Sequence, residues 1–428
     1  MVRVALLALL AGCSYLTSSF VDNDFSGDSY PIAVDTSSGA LMIGVRTDGA
    51  ADRIGVLDVL SPITVFDNGI DATPSISNPD RVTLLGEDDS GALTVARASL
   101  AQPQVVALHP CAADDCVVGT PSAPVEFSAL IGDVAFGGDA LRLHLSESQI
   151  FILPDISGDS EHRSYACDGV FGGDSSTTPF RGGGTLLLGG TEVDFTNWRI
   201  TIDACLSPSP EAPLQSERGT DVLLVASTAL GVSLLDESAY ARYLQGHPTA
   251  PTLDTLPMDS VNLPSGPVTG HRTSIATLAL VANSSSEPRS PCRQVYAHHL
   301  LEVRDCESGD DCPCTVNDPD DNHHFCTVPA ITEIGPAAGI DFLIVPDDDP
   351  TIQALTTELE PDQPIVDGIL ANGAIHDTDV DIDYQHDRVL MRCADPSAQT
   401  CKIRPEIVRA ADRIEVDACI GDTPGPVP

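Results

Sequence analysis

The feature that most limits what this chain can fold into is its punctuation. Apolar runs are short and are broken throughout by Gly, Pro, Asp and Ser, with 34 Gly and 33 Pro among 428 residues. Long stretches of helical periodicity are absent. Short apolar runs bounded by turn residues read as strands, so the sequence predicts a mostly β chain with a few short helices, long enough for two lobes.

Charge excludes one class of ligand. With 21 basic and 63 acidic residues the formal net charge is −42. A phosphate backbone needs a basic face, so nucleic acid is not an expected partner. The acidity reads as a solvated surface. Lys402 is the single lysine, so chemistry that depends on a lysine has no other candidate.

The first residues read as an export signal. Arg3 precedes a short apolar run from Val4, too short to span a bilayer. Leu10-Ala11-Gly12-Cys13 resembles the lipobox of bacterial lipoproteins. That resemblance implies cleavage of the signal 1–12, lipid attachment at Cys13, and a cell-envelope location. Ser14 after the Cys points by the same resemblance to the outer membrane. Residues 13–30 read as a polar tether. Cysteine usage agrees with export: setting Cys13 aside from the 13 cysteines leaves an even number for disulfides. Cys111 with Cys116, and Cys167 with Cys205, are the pairings expected from position.

Strands are expected at Ile63–Phe66, Val82–Leu85, Val105–Leu108, Leu141–Leu145, Phe151–Leu153, Val222–Val225, Val232–Leu235, Val380–Tyr384 and Arg388–Cys393. Helices are expected after Asp236, an N-cap, through Leu244, and from Asp349-Pro350, with Pro at the first turn, through Leu359. Leu206 to Thr220 is polar and Pro-rich and reads as a linker.

The candidate chemistry begins at Asp35. Pro31-Ile32-Ala33-Val34 and Ala40-Leu41-Met42-Ile43 are apolar runs, and Asp35-Thr36-Ser37-Ser38-Gly39 lies between them. These are common turn residues, and they also hold a carboxylate at a strand tip, on rigid elements. Asp168-Gly169-Val170-Phe171-Gly172-Gly173 and Leu187-Leu188-Gly189-Gly190 follow in order. The set resembles the pepsin-like aspartic peptidases, which carry Asp-Thr-Gly-Ser at a strand tip, then an Asp-Gly-Ile-Leu-Gly brace and a Gly-rich strand. After residue 220 the order recurs: Val222–Val225, Ala226-Ser227-Thr228, a short helix, and Val366-Asp367-Gly368-Ile369-Leu370.

The resemblance implies a two-lobed, pepsin-like (acid protease) β-barrel architecture. Its lobes would be residues 31–205 and 221–393, with 206–220 as linker and 394–428 as a disulfide-linked tail. It implies Asp35 as the catalytic carboxylate and a cleft lined by Thr36, Ser37, Ala226, Ser227 and Thr228. Aspartic proteolysis uses two carboxylates sharing one proton, one as base and one as acid. In this register Ala226 stands where the second Asp belongs, and a methyl group does neither task. The flap hairpin with its Tyr is also missing, with Phe127 the nearest aromatic. The expectation is a non-catalytic homologue that holds an extended peptide or protein segment between its lobes. The alternative is an acid-active endopeptidase using Asp35 with an unrecognised second carboxylate.

No cofactor or metal is expected. His298-His299 and His323-His324 stand near Cys306, Cys312, Cys314 and Cys326, which in an exported chain read as disulfides rather than zinc ligands. Asp318, Asp320 and Asp321, like Asp347-Asp348-Asp349, lack EF-hand spacing. Gly182-Gly183-Gly184 lacks the Lys-Ser/Thr of a phosphate loop, and a Gly-x-Ser-x-Gly elbow is absent.

Overall fold

The computed structural model describes residues 32–33, 38–47, 51–69, 75–77, 82–87, 93–100, 106–109, 116–132, 140–153, 169–172, 179–188, 191–207, 219–264, 266–282, 291–303, 326–328, 331–359, 365–384, 388–395, 400–404, 407–410, 413–420 and 423–427. The signal, Cys13, the tether, Asp35, Thr36, Ser37, Cys167, Asp168 and most of the 206–220 stretch lie outside the described residues.

The fold is mostly β. The elements that position the site are β1 (Ile32–Ala33), β2 (Leu41–Thr47), β3 (Arg53–Leu57), β4 (Thr64–Asp67), β5 (Ala129–Ile131), β6 (Ala140–His144) and β7 (Gln149–Leu153). They are followed by β8 (Gly169–Gly172), β9 (Thr191–Ser207), β10 (Thr220–Ser227), β11 (Ser233–Asp236), β12 (Ile340–Val345), β13 (Gly368–Ala371), β14 (Thr378–Asp383) and β15 (Arg388–Cys393). Among the described residues three α-helices lie in the later part: α1 (Glu237–Gly246), α2 (Pro291–Val303) and α3 (Pro350–Glu358). Asp236 caps α1 by accepting from the Ala239 amide at 2.6 Å, and Asp349 caps α3 by accepting from Thr351 at 2.9 Å. The first cap and the Pro-led start of α3 are where the sequence places them.

The chain is built twice. In the first half β3 pairs parallel with β5, Gly55 opposite Ala129 and Leu57 opposite Ile131. In the second, β10 pairs parallel with β13, Leu224 opposite Gly368 and Ala226 opposite Leu370. β4 crosses β5 antiparallel, Val65 opposite Leu130, as β11 crosses β13, Leu234 opposite Ile369. Single hydrogen bonds repeat as well. The Ser128 amide donates to Ile54 O and the Asp367 amide to Leu223 O, both at 2.9 Å. The Gly132 amide donates to the Thr64 hydroxyl at 3.4 Å, and Ala371 to the Ser233 hydroxyl at 3.1 Å. Residues 55–67 therefore correspond to 224–236 at the separation of 169 that also relates Asp58 to Ser227.

The halves meet in one six-stranded sheet of order β1-β7-β6-β14-β15-β8. Leu141 lies opposite Ile152 in β7, and Val380 opposite Met391 in β15. Ile32 lies opposite Ile150, and Phe171 opposite Val389. Leu141 and Val380, Ile152 and Met391, and Ile150 and Val389 share the separation of 239 that relates Arg142 to Asp381, while Ile32 and Phe171 are 139 apart. A local twofold axis passes through that pair, since Leu141 faces Ile382 and Leu143 faces Val380. One apolar core runs across both halves, with Leu41, Ile43, Leu141, Leu143, Leu224, Val380 and Ile382 among its members. The register is fixed because a one-residue slip would turn each apolar set out of that core.

By the same correspondence β8 stands where β1 does, and β9 pairs with β10, Thr201 opposite Val225, so the polar stretch 206–220 joins two neighbouring strands. Two expectations are corrected. The first brace is Ser128-Ala129-Leu130-Ile131-Gly132, because β5 is the strand parallel to β3; Gly169–Gly172 instead borders β15. Cys205 bonds Cys292, not Cys167: β9 brings it to the start of α2, with Cα atoms 4.8 Å apart, and Asp221 accepts from the Cys292 amide at 2.7 Å. Cys393 bonds Cys401, and Cys116 is also disulfide-bonded.

Candidate functional site

The two parallel braces lead their strands to one place. β3 ends at Leu57 and turns through Asp58-Val59-Leu60-Ser61, the Ser61 amide bonding Asp58 O at 3.0 Å. β10 ends at Ser227 and continues as Thr228-Ala229-Leu230. The tips touch across the pseudo-twofold. Asp58 Oδ1 accepts from the Ser227 hydroxyl at 2.9 Å, from the Leu60 amide at 3.0 Å and from the Thr228 amide at 3.2 Å. Ser227 Oγ in turn accepts from the Ala229 amide at 3.2 Å. Among the described residues the carboxylate at these tips is Asp58, and its symmetry mate is Ser227.

Thr228 ties the loops together. Its hydroxyl donates to Leu57 O at 2.7 Å and accepts from the Val59 amide at 3.1 Å. The residue equivalent to Thr228 is Val59, which has no hydroxyl to return the bond. The tie is one-sided. Beneath it, Asn372 donates through Nδ2 to Thr228 O at 2.6 Å and to Gly39 O at 3.2 Å. Gly39, with φ +82°, lies so close to Gly231 that a Cβ on it would stand 2.3 Å from Gly231 Cα. Only glycine fits a positive φ and that approach together.

Asp58 is 4% exposed. Burial pushes its carboxyl above the ordinary range; the Leu60 amide, the Ser227 hydroxyl, the Arg199 charge and the Thr228 amide pull it back down. Arg199, on β9, donates to Leu60 O and to the Glu358 carboxylate at the end of α3. Beside this group is a cavity of about 450 Å³ whose lining includes Asp58, Leu60, Arg199, Leu263, Pro264 and Leu355. Its wall is mainly apolar, with one buried carboxyl and one guanidinium already engaged by Glu358. Such a site takes ligand groups that are largely uncharged, oriented by a few polar contacts.

The structure brings Ser227 and Thr228 to the site. It turns Ala226 away: alternation along β10 packs Ala226, partly buried, against the shared core, so Ser227 supplies the side chain at this position. Sequence reasoning missed Asp58 because Val59-Leu60 follow it where Thr-Gly would mark the motif. The usable signal was the repeated brace, Ser128-Ala-Leu-Ile-Gly against Asp367-Gly-Ile-Leu-Ala. Asp347 accepts from the Ser238 amide at 2.8 Å and hydroxyl at 2.6 Å, so with Asp349 it serves helix starts. Among the described residues no group of three or more His, Cys, Asp or Glu is arranged to hold a metal ion.

No family model matches the chain, and no curated protein matches it. Solved structures do, among them an aspartic proteinase from Irpex lacteus. The match covers 87% of this chain and 99% of that one, at 10% identity and a TM-score of 0.37. At that score the likeness bears no weight beyond itself.

Proposed function

We propose that this protein is a cell-envelope lipoprotein of pepsin-like architecture that binds an extended peptide or protein segment between its halves and does not cleave it. One observation carries the reading: on the pseudo-twofold the buried carboxyl of Asp58 meets the hydroxyl of Ser227 at 2.9 Å. Two-carboxylate catalysis needs one group to take a proton while the other gives one. A serine hydroxyl beside a carboxyl donates a hydrogen bond and holds the carboxyl still; it does not exchange protons near neutral pH. What remains is a rigid polar point at the edge of an apolar cavity, suited to orienting a ligand. The lipobox at Leu10–Cys13 supports anchoring at the membrane through Cys13.

The rival, an acid-active endopeptidase, needs a second carboxylate at Asp58. Among the described residues the side chain bonded to Asp58 is Ser227. The test is a peptide library incubated with the soluble form beginning at Ser14, from pH 3 to 7. Asp58→Asn and Ser227→Asp are run beside it. The expected outcome is no cleavage by the wild type or by Asp58→Asn. Cleavage by the wild type that Asp58→Asn abolishes refutes the binding-only reading.

A further inference from the structure

The strands at the twofold axis carry opposite charge. On β6 the residues alternating across the sheet are Ala140, Arg142 and His144; on β14 they are Asp379, Asp381 and Asp383. Arg142 lies opposite Asp381, His144 opposite Asp379 and Ala140 opposite Asp383. Arg142 is 1% exposed, and its guanidinium grips Asp381 with two bonds of 2.6 Å. His144 lies 3.6 Å from Asp379, which Arg392 also approaches at 3.5 Å, and Arg388 bonds Asp383 at 2.9 Å.

Arg142 and Asp381 are also each other's symmetry mates. If the first half paired with a copy of itself through β6, Arg142 would face Arg142. If the second half did so through β14, Asp381 would face Asp381, and Asp379 would face Asp383. The apolar residues do not discriminate, since Leu141 and Leu143 occupy the places of Val380 and Ile382. We infer that the two halves recognise one another by charge: each central strand fits the other half and rejects its own kind. The surface that β6 presents is an interface for an acidic strand edge, and β14 for a basic one. A buried ion pair contributes little net stability over an apolar pair, but like charges buried on one axis are costly. The pairing acts as a register and partner device, independent of what the cavity holds.

A charge swap in the full chain tests this, read by thermal unfolding and by sedimentation. Arg142→Asp and Asp381→Arg each place like charges on the axis, and each is expected to lower the unfolding midpoint by roughly 5–10 °C. The double variant R142D/D381R is expected to recover most of that loss, because it restores opposite charges across the axis in the same register. Single variants that match the wild type, or a double variant no better than the worse single, would overturn the inference. If the singles do not fold, the apolar pair Arg142→Met with Asp381→Leu decides. It removes the like-charge contact on the axis and is expected to give a larger dimer share than the wild type after refolding at equal concentration. An unchanged dimer share would count against the inference.

Discussion

The loop at Asp58 and the loop at Ser227 share a backbone and differ in chemistry. Both end a strand braced by a parallel neighbour, and both are followed by a strand that crosses the brace. Yet one offers a carboxyl and the other a hydroxyl, and Thr228 ties the loops with a hydroxyl that Val59 lacks. The difference teaches that brace and tip are separable. The brace is backbone hydrogen bonding and apolar packing, which many sequences satisfy. The tip is two or three side chains, free to change once the brace holds them. Asp67 and Asp236 extend the comparison. They are equivalent, but Asp67 closes a turn by accepting from the Gly69 amide at 3.0 Å, whereas Asp236 is buried at the start of α1.

The largest effect is expected where the second loop meets the turn at residues 38–40. Gly39→Ala adds a Cβ that collides with Gly231 backbone at a positive φ, which should cost about 3 kcal/mol of unfolding free energy. Urea denaturation measures it, and a cost below about 1 kcal/mol would mean the two glycines do not pack as described. Next comes Thr228→Val, which strips Leu57 O and the Val59 amide of their shared partner, at about 2–3 kcal/mol. Its counterpart Val59→Thr offers the second hydroxyl that symmetry calls for and should change stability by no more than about 1 kcal/mol. If the two variants cost the same, the one-sided tie is refuted.

Ser227→Asp turns the comparison into a pH experiment. Two buried carboxyls in contact cannot both ionise, so at least one is held protonated well above the ordinary range. The native state then binds more protons than the unfolded chain, and stability falls as pH rises from about 4 toward 7. The expected loss at pH 7 relative to the wild type is about 1–3 kcal/mol, shrinking as the pH falls. A pH-independent difference would show that the two side chains do not meet.

Asp236 supplies a smaller and separate pH effect. Burial, then the neighbouring charges of Asp367 and Asp347, push its carboxyl up to about 6 against the pull of the Ala239 amide and Arg242. A raised carboxyl pKa favours the folded state most at low pH, and the contribution is lost as pH rises from about 4 through 6. Asp236→Asn keeps an acceptor for the Ala239 amide and removes the titrating group. It should flatten the stability profile in that window by at most about 2 kcal/mol. An unchanged profile would place the titration elsewhere.

Much of this molecule was legible in its sequence. Strand runs such as Val222–Val225 and Arg388–Cys393 declare themselves by apolar content and by the turn residues around them. Asp236 and Asp349 declare helix starts, since a short carboxylate beside free amides is a local matter. The existence of two related halves was also legible, because Asp367-Gly368-Ile369-Leu370 is an unusual apolar brace. The tertiary structure alone decided which residues those halves superimpose. Asp58 is marked by no neighbour in sequence; it is marked by a serine 169 positions away and by a strand that runs parallel to its own. The pairing of Arg142 with Asp381 likewise spans 239 positions. Turn chemistry is written in adjacent residues, whereas a site on a twofold axis is written in contacts between halves, and those exist only once the sheets have formed.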